Sequence, residues 1–160
     1  MKVTNGVPEI SIRACRMDET GAVIDIWKRT GAYSPSDTGE AVRRHLADQP
    51  GMLLVALSGG NIIGTVMGGW DGWRGNIYRL AVLPEYRKQG VGKLLVRVIE
   101  ELLYELGAQL INVQVEKAQT EGLHFWEAMR ETGYQPDVQT ASYTKEPGKV
   151  LEQRRDTGVI

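Results

Sequence analysis

The chain has 160 residues, enough for one domain that buries roughly 70% of its unfolded surface without staples. Its 19 Lys and Arg nearly cancel 20 Asp and Glu, which argues against nucleic-acid binding through bulk charge. The single cysteine, Cys15, excludes an internal disulfide and a thiolate metal site.

The first residues hold one early lysine and no long apolar run, so no signal peptide is expected. No segment reaches the ~20 apolar residues of a membrane span, and a soluble cytoplasmic protein is the expectation. Residues 9–16 alternate through Ile10, Ile12 and Ala14, which predicts a half-buried first strand. Asp18 can cap a helix whose apolar face is Val23, Ile24, Ile26 and Trp27, ending near Gly31. Residues 33–37 read as a turn, with Ser36 or Asp37 capping a second helix through His45 and Leu46. Met52 to Leu57 reads as a buried strand, residues 58–61 as a hairpin loop, and Ile62 to Trp70 as the returning strand.

Residues 71–75 connect to a strand over 76–83 that Pro84 stops, and Lys93 to Leu106 reads as one long amphipathic helix. A strand over 109–115 and a helix over 120–131 follow, closed by Gly133 as C-cap. One or two strands are expected in 134–145, interrupted by Pro136. Residues 147–160 are polar and aperiodic and read as a flexible tail, leaving 1–146 as one domain. The order β-α-α-β-β-β-α-β-α-β describes an α/β fold, a mixed sheet with helices on both faces.

Between the strand ending at Leu83 and the long helix lies Arg87-Lys88-Gln89-Gly90-Val91-Gly92. Amides at a helix N-terminus lack intrahelical partners and can receive a phosphate. Glycines admit close approach, and Arg87 can add a charge-assisted contact, so the loop is suited to a diphosphate. A Walker loop fails, because Gly92-Lys93 is followed by Leu94, which has no hydroxyl, and the required first glycine is Arg87. A dinucleotide fingerprint fails because its third glycine is Leu95 and the loop lies mid-chain.

The remaining pattern, Arg-x-x-Gly-x-Gly after Leu80-Ala81-Val82-Leu83-Pro84, resembles motif A of the GNAT superfamily of acetyl-CoA-dependent N-acyltransferases. The likeness extends to Ile12-Arg13 with Asp18, to residues 61–64 as a hairpin, and to residues 115–134. The segment 64–75, with Trp70-Asp71-Gly72-Trp73-Arg74-Gly75, resembles a small bacterial subgroup. The resemblance implies that Gln89, Gly90, Val91, Gly92 and Lys93 cradle the pyrophosphate of coenzyme A through their amides. It implies that the backbone of Leu80, Ala81 and Val82 pairs with pantetheine, and that Lys88 lies near the adenine or ribose phosphate. Gln119 aligns with an asparagine that holds pantetheine in relatives.

The implied reaction is direct acetyl transfer from acetyl-CoA to a primary amine, a small molecule or a peptide terminus, in a ternary complex. The amine must be neutral, the oxyanion needs a donor such as a strand N–H near Val82, and the thiolate needs a proton. Relatives often use a tyrosine for that proton, at a position occupied here by Trp126, whose indole is no practical acid. The glutamate of peptide-acetylating relatives aligns with Gln114, which does not titrate. Between Trp126 and Gly133 there are about three extra residues, which predicts a longer helix.

The proton work is therefore assigned to Tyr78, which shares a strand face with Asn76, and to Asp71 on the neighbouring connection. Trp27, Tyr33, Trp70, Arg74 and Asn76 are expected to wall the acceptor site. His45 and His124 show no metal-ligand spacing and read as surface helix residues, so no metal is expected. Neither nucleic acid nor membrane is an expected partner. Dimerisation through terminal strands is common in the superfamily, and nothing in the sequence decides it. The rival reading is an inactive CoA-binding sensor module of the same fold.

Overall fold

The chain is described by a computed structural model over residues 3–4 and 7–148, so residues 149–160 of the expected tail lie outside the described residues. β1 (Val3–Thr4) and β2 (Val7–Pro8) pair as a short antiparallel ladder. The main sheet contains β3 (Ile10–Ala14), β4 (Leu53–Ser58), β5 (Asn61–Trp70), β6 (Gly75–Val82) and β7 (Ile111–Val113), in that spatial order. Neighbours are antiparallel except β6 and β7, which are parallel. The helices are α1 (Thr20–Thr30), α2 (Gly39–Asp48), α3 (Val91–Glu105) and α4 (Thr120–Ala128). The described residues pack as two units, divided between Leu123 and His124.

Side-chain alternation along β5 decides which helix covers which face. Leu95 and Ile99 of α3 lie against Gly64 and Gly68. The intervening Thr65 points the other way and accepts a hydrogen bond from Trp27 of α1 at 2.9 Å. The mixed sheet therefore carries α3 on one face and α1 on the other, as the sequence predicts. α3 buries Val91, Leu95, Ile99 and Leu103, spaced four residues apart along one face. With Leu54, Val66 and Ile77 on the same face of the sheet they form a core in which each such side chain contributes about 1.5–3 kcal/mol.

Two helix starts differ from expectation. A 3-10 turn, Met17–Glu19, precedes α1, and the Glu19 carboxylate takes the Arg16 amide at 2.9 Å, so Asp18 is not the cap. Glu19 also receives both arms of Arg13, at 2.8 and 2.6 Å. α2 is capped by Thr38, whose hydroxyl accepts the Ala41 amide at 3.1 Å, in place of Ser36 or Asp37. Gly31 ends α1 at φ 78° as predicted.

The feature that shapes the site is a register slip between β5 and β6. Met67 faces Tyr78 and Thr65 faces Ala81, so Arg79 and Leu80 together oppose Val66. This is a bulge, and Arg79 within it has φ 48°. A bulge bends its strand and increases its twist. Pairing between β6 and β7 is accordingly confined to Gly75–Ile111, Asn76–Asn112 and Ile77–Val113. The strand expected over 109–115 is three residues long because its partner turns away.

In the second unit α4 gives way to a 3-10 turn, Met129–Thr132, closed by Gly133 at φ 108°. The longer α-helix predicted to Glu131 is thus an α-helix plus a tighter turn. Trp126 is half-buried, 4.8 Å from the Tyr134 ring and 5.2 Å from Phe125, both edge-on. The strands expected in 134–145 do not form. Val138 and Tyr143 there are 89% and 94% exposed, so alternation had no surface to bury against.

Candidate acyl-donor and acceptor site

β6 leads directly into the glycine loop. A 3-10 turn, Pro84–Tyr86, follows it, then Arg87 to Gly90, then α3. Gly90 is the N-cap of α3 at φ 82°, a conformation that costs a side-chain-bearing residue about 1 kcal/mol or more. Its carbonyl accepts the Leu94 amide at 3.0 Å, so the helix begins with its opening amides directed outward around Val91 and Gly92. Lys88 is exposed and also left-handed, at φ 59°. Arg87 donates Nε to the Val82 carbonyl at 3.0 Å, and its Nη1 is 4.0 Å from Glu121. Gln89 anchors the turn by donating to the Glu85 carbonyl at 3.2 Å.

The direction of the β6 backbone groups follows from two bonds. Leu83 donates its amide to Ile63 at 2.9 Å, toward β5, so by alternation Ala81 also faces β5. The N–H groups of Leu80 and Val82 then face the other way, where β7 has left the strand. An extended ligand can add hydrogen bonds along such an edge, as a further strand would. The open edge runs from the Ile77–Val113 pair to the amides at the head of α3. A chain ending in a diphosphate fits this arrangement, with the negative groups at the positive end of the helix.

On the α1 face of the sheet, Tyr78 and Asn76 lie together as predicted. Tyr78 is 39% exposed, and its ring lies over Gly69, with Cε2 2.8 Å from where a Cβ would stand. Partial burial and the nearby Asp71 charge raise its pKa above the usual phenol value. Asp71 is committed to its turn, accepting the amides of Trp73 at 2.8 Å and Arg74 at 2.6 Å. These bonds hold its carboxyl below the ordinary aspartate range, which makes it a poor proton acceptor. Arg74 stacks on Trp73, 5.9 Å from the ring centre, and does not close an ion pair with Asp71.

The expected aromatic wall divides. Tyr33 is 41% exposed with the Lys28 ammonium 5.1 Å above its ring, and Trp70 is half-buried with its amide held by Gln49 at 2.8 Å. Trp27 is fully buried and therefore offers no surface to a ligand. Gln119 donates its side-chain amide to the Gly31 carbonyl at 2.7 Å, which ties the segment after β7 to the end of α1. Gln114 is exposed one residue beyond β7.

Sequence reasoning missed one cluster. The Arg79 guanidinium meets the Asp37 carboxylate through Nε at 3.0 Å and Nη2 at 2.7 Å, and sits 5.7 Å from the Trp27 ring centre. Asp37 also accepts the Ser34 amide at 2.7 Å. The Thr65 hydroxyl donates to the Arg79 carbonyl at 2.9 Å. An arginine followed by two apolar residues in a strand carries no sequence signal of a bulge.

The remaining titratable groups do other things. Cys15 is buried, its thiol pushed up to about 11 by desolvation, so it is not a nucleophile at neutral pH. His45, expected at the surface, has a buried Nε2 without a partner, and burial lowers its pKa. Among the described residues no group of three or more His, Cys, Asp or Glu is arranged to hold a metal. No described helix is long and apolar enough to cross a membrane.

The sequence pattern of the Acetyltransferase (GNAT) family matches residues 21–130. The chain belongs to this family. An acetyltransferase of Pectobacterium atrosepticum is 37% identical over 109 residues, covering 68% of this chain and 77% of that one. An acetyltransferase of Sodalis glossinidius is 36% identical over 107 residues, covering 66% and 75%. Among solved structures, an aminoglycoside N-acetyltransferase, AAC(6')-Iy, in complex with CoA has a TM-score of 0.70 at 16% identity, covering 89% of this chain and 99% of that one. The PaiA N-acetyltransferase of Thermoplasma acidophilum, in complex with coenzyme A, has a TM-score of 0.65 at 18% identity, covering 75% and 87%. In this chain's GNAT fold the open edge of β6 leads directly into the glycine loop at the start of α3.

Proposed function

We propose that this protein transfers the acetyl group of acetyl-CoA directly to a primary amine in a ternary complex. The observation that carries the reading is the open edge of β6 leading into the Gly90-capped start of α3. Family membership supports it, as does the fold shared with proteins solved in complex with CoA.

In this reading Leu80 by its outward backbone groups and Val82 by its outward amide hold pantetheine, and the loop from Arg87 to Lys93 holds the diphosphate. Gln119, whose Nε2 is held by the Gly31 carbonyl, would offer its side-chain Oε1 to pantetheine. Bound acetyl-CoA would supply a thioester whose oxygen gains charge under attack and whose thiol, of ordinary pKa ~8.5, departs. A β6 amide facing the open edge donates to that oxygen. Tyr78, whose pKa its surroundings raise, is the proposed donor of a proton to the departing sulfur. Asp71 keeps its negative charge and attracts the incoming ammonium, and deprotonation of the amine passes to water.

Some proteins of similar fold act on aminoglycosides. Here Asp37 beside the acceptor loop is already neutralised by Arg79, which favours a small monoamine or a peptide terminus over a polycation. The test is release of free thiol from acetyl-CoA against a panel of amines, comparing wild type with Tyr78→Phe and Asp71→Asn. Turnover on one amine class, reduced in Tyr78→Phe, supports the reading. Tight acetyl-CoA binding without turnover on any amine leaves a CoA-binding module, and absence of CoA binding removes both.

A further inference from the structure

We infer that Thr65, Trp27 and Asp37 are positioning residues that decide which β6 amide meets the thioester oxygen; the inference rests on the acetyl-transfer reading above. Gly75 donates its amide to Leu110 at 3.0 Å, away from β5, so alternation turns Asn76 and Tyr78 toward β5. Continued without a slip, that alternation would turn Leu80 and Val82 toward β5 as well. The single extra residue at Arg79 reverses the outcome, and Leu80 and Val82 face the open edge. The bulge therefore selects the donors.

The bulge is held from outside the strand. A trans peptide is planar, with its C=O and N–H opposed. The Thr65 hydroxyl draws the Arg79 carbonyl toward β5 at 2.9 Å, so the N–H of the same peptide, that of Leu80, is directed away from β5. Thr65 is fully buried, and its own oxygen is fixed by the Trp27 indole at 2.9 Å. The Arg79 side chain is fixed separately by its two bonds to Asp37 and by the Trp27 ring beneath it. None of these three residues faces the open edge; they act through the 79–80 peptide. The loop that carries Asp37 also carries Tyr33, so the acceptor side of the site is tied to the donor amide.

Thr65→Val keeps shape and volume but removes the hydroxyl, whereas Thr65→Ser keeps the hydroxyl. In Thr65→Val, kcat is expected to fall by on the order of 10- to 100-fold while KM for acetyl-CoA changes less than about threefold. Thr65→Ser restores most of the loss, and Asp37→Asn gives a smaller fall of the same kind. Two further readouts need no turnover. The Leu80 amide of the ligand-free protein shifts its 15N resonance in Thr65→Val but not in Thr65→Ser. The carbonyl stretch of bound 13C-labelled acetyl-CoA, lowered in wild type by the amide, returns toward its free value in Thr65→Val. An unchanged stretch and unchanged Leu80 resonance in Thr65→Val overturn the inference, as does a loss in kcat that Thr65→Ser shares. A wild type that binds acetyl-CoA with a lowered stretch but acetylates no amine overturns the transferase reading and leaves the positioning role standing.

Discussion

Gly64→Ala tests whether the β5–β6 contact sets the donor edge. A Cβ at residue 64 would lie 2.9 Å from the Ala81 carbonyl oxygen, 3.3 Å from Leu95 Cδ1 and 3.4 Å from Val82 Cγ2. Ordinary contact begins near 3.4 Å, so one strand must yield by about half an ångström. The obstacle is backbone, and it cannot rotate aside. Overpacking of this kind costs about 1–3 kcal/mol, and at roughly 2–4 °C per kcal/mol Tm should fall by about 2–12 °C. Because the strand that moves is the one proposed to hold pantetheine along its edge, CoA affinity should fall about two- to tenfold, the equivalent of one hydrogen bond. Calorimetric unfolding and titration with CoA measure the two effects. Gly21→Ala is the control: beyond its own helix backbone nothing lies within 4 Å of a Cβ there, and alanine in α1 should raise stability by up to about 1 kcal/mol. An unchanged Tm in Gly64→Ala would refute the packing argument. A lowered Tm with unchanged CoA affinity would refute the assignment of the β6 edge to the donor.

Three further predictions concern charge and backbone. The two bonds from Arg13 hold the Glu19 pKa down at about 2, below its usual 4.5. The folded-state pKa is depressed, so this stabilisation is complete above pH 4.5 and is lost as pH falls toward 2. Denaturant midpoints across that window should show an acid limb that Glu19→Gln flattens. Lys88→Gly removes a strained left-handed lysine and should raise Tm by roughly 2–4 °C, about 1 kcal/mol, while lowering the salt dependence of CoA binding. Tyr78 titrates above its ordinary value of 10.0, so a pH–kcat profile should lose no activity through its ionisation until pH exceeds that value. A limb near neutrality that disappears in Tyr78→Phe would contradict this.

The glycine loop was legible because its signals are local. Pro84 stops a strand, Gly90 takes a left-handed turn, and the period of Val91, Leu95 and Ile99 announces the helix, each readable within one turn of its neighbours. The bulge at Arg79 was not legible, because it is a property of pairing between β5 and β6 and leaves no mark on β6 alone. Asp37 shows the same limit. A short polar residue before a helix is a reasonable cap, but Thr38 caps α2 while Asp37 serves Arg79, 42 residues away. The period of the first helix puts Trp27 in the core while its aromatic company suggests an acceptor wall; burial follows the period and gives its indole to Thr65. The terminal strands failed for a further reason. Alternation at residues 138–143 predicts a face, and no described surface takes it up.

The three-pair seam between β6 and β7 has a thermodynamic consequence. An ordinary sheet finishes its ladders when the chain folds, and its stability then belongs to the sequence alone. Here the backbone of residues 80–82 stays unladdered on one side, and a bound pantetheine would complete it. Occupancy and stability would then be linked by mass action, with about 2.7 kcal/mol added at a ligand concentration a hundred times Kd. On this view the donor is the sheet's missing strand, and a cell low in it would hold a measurably less stable protein.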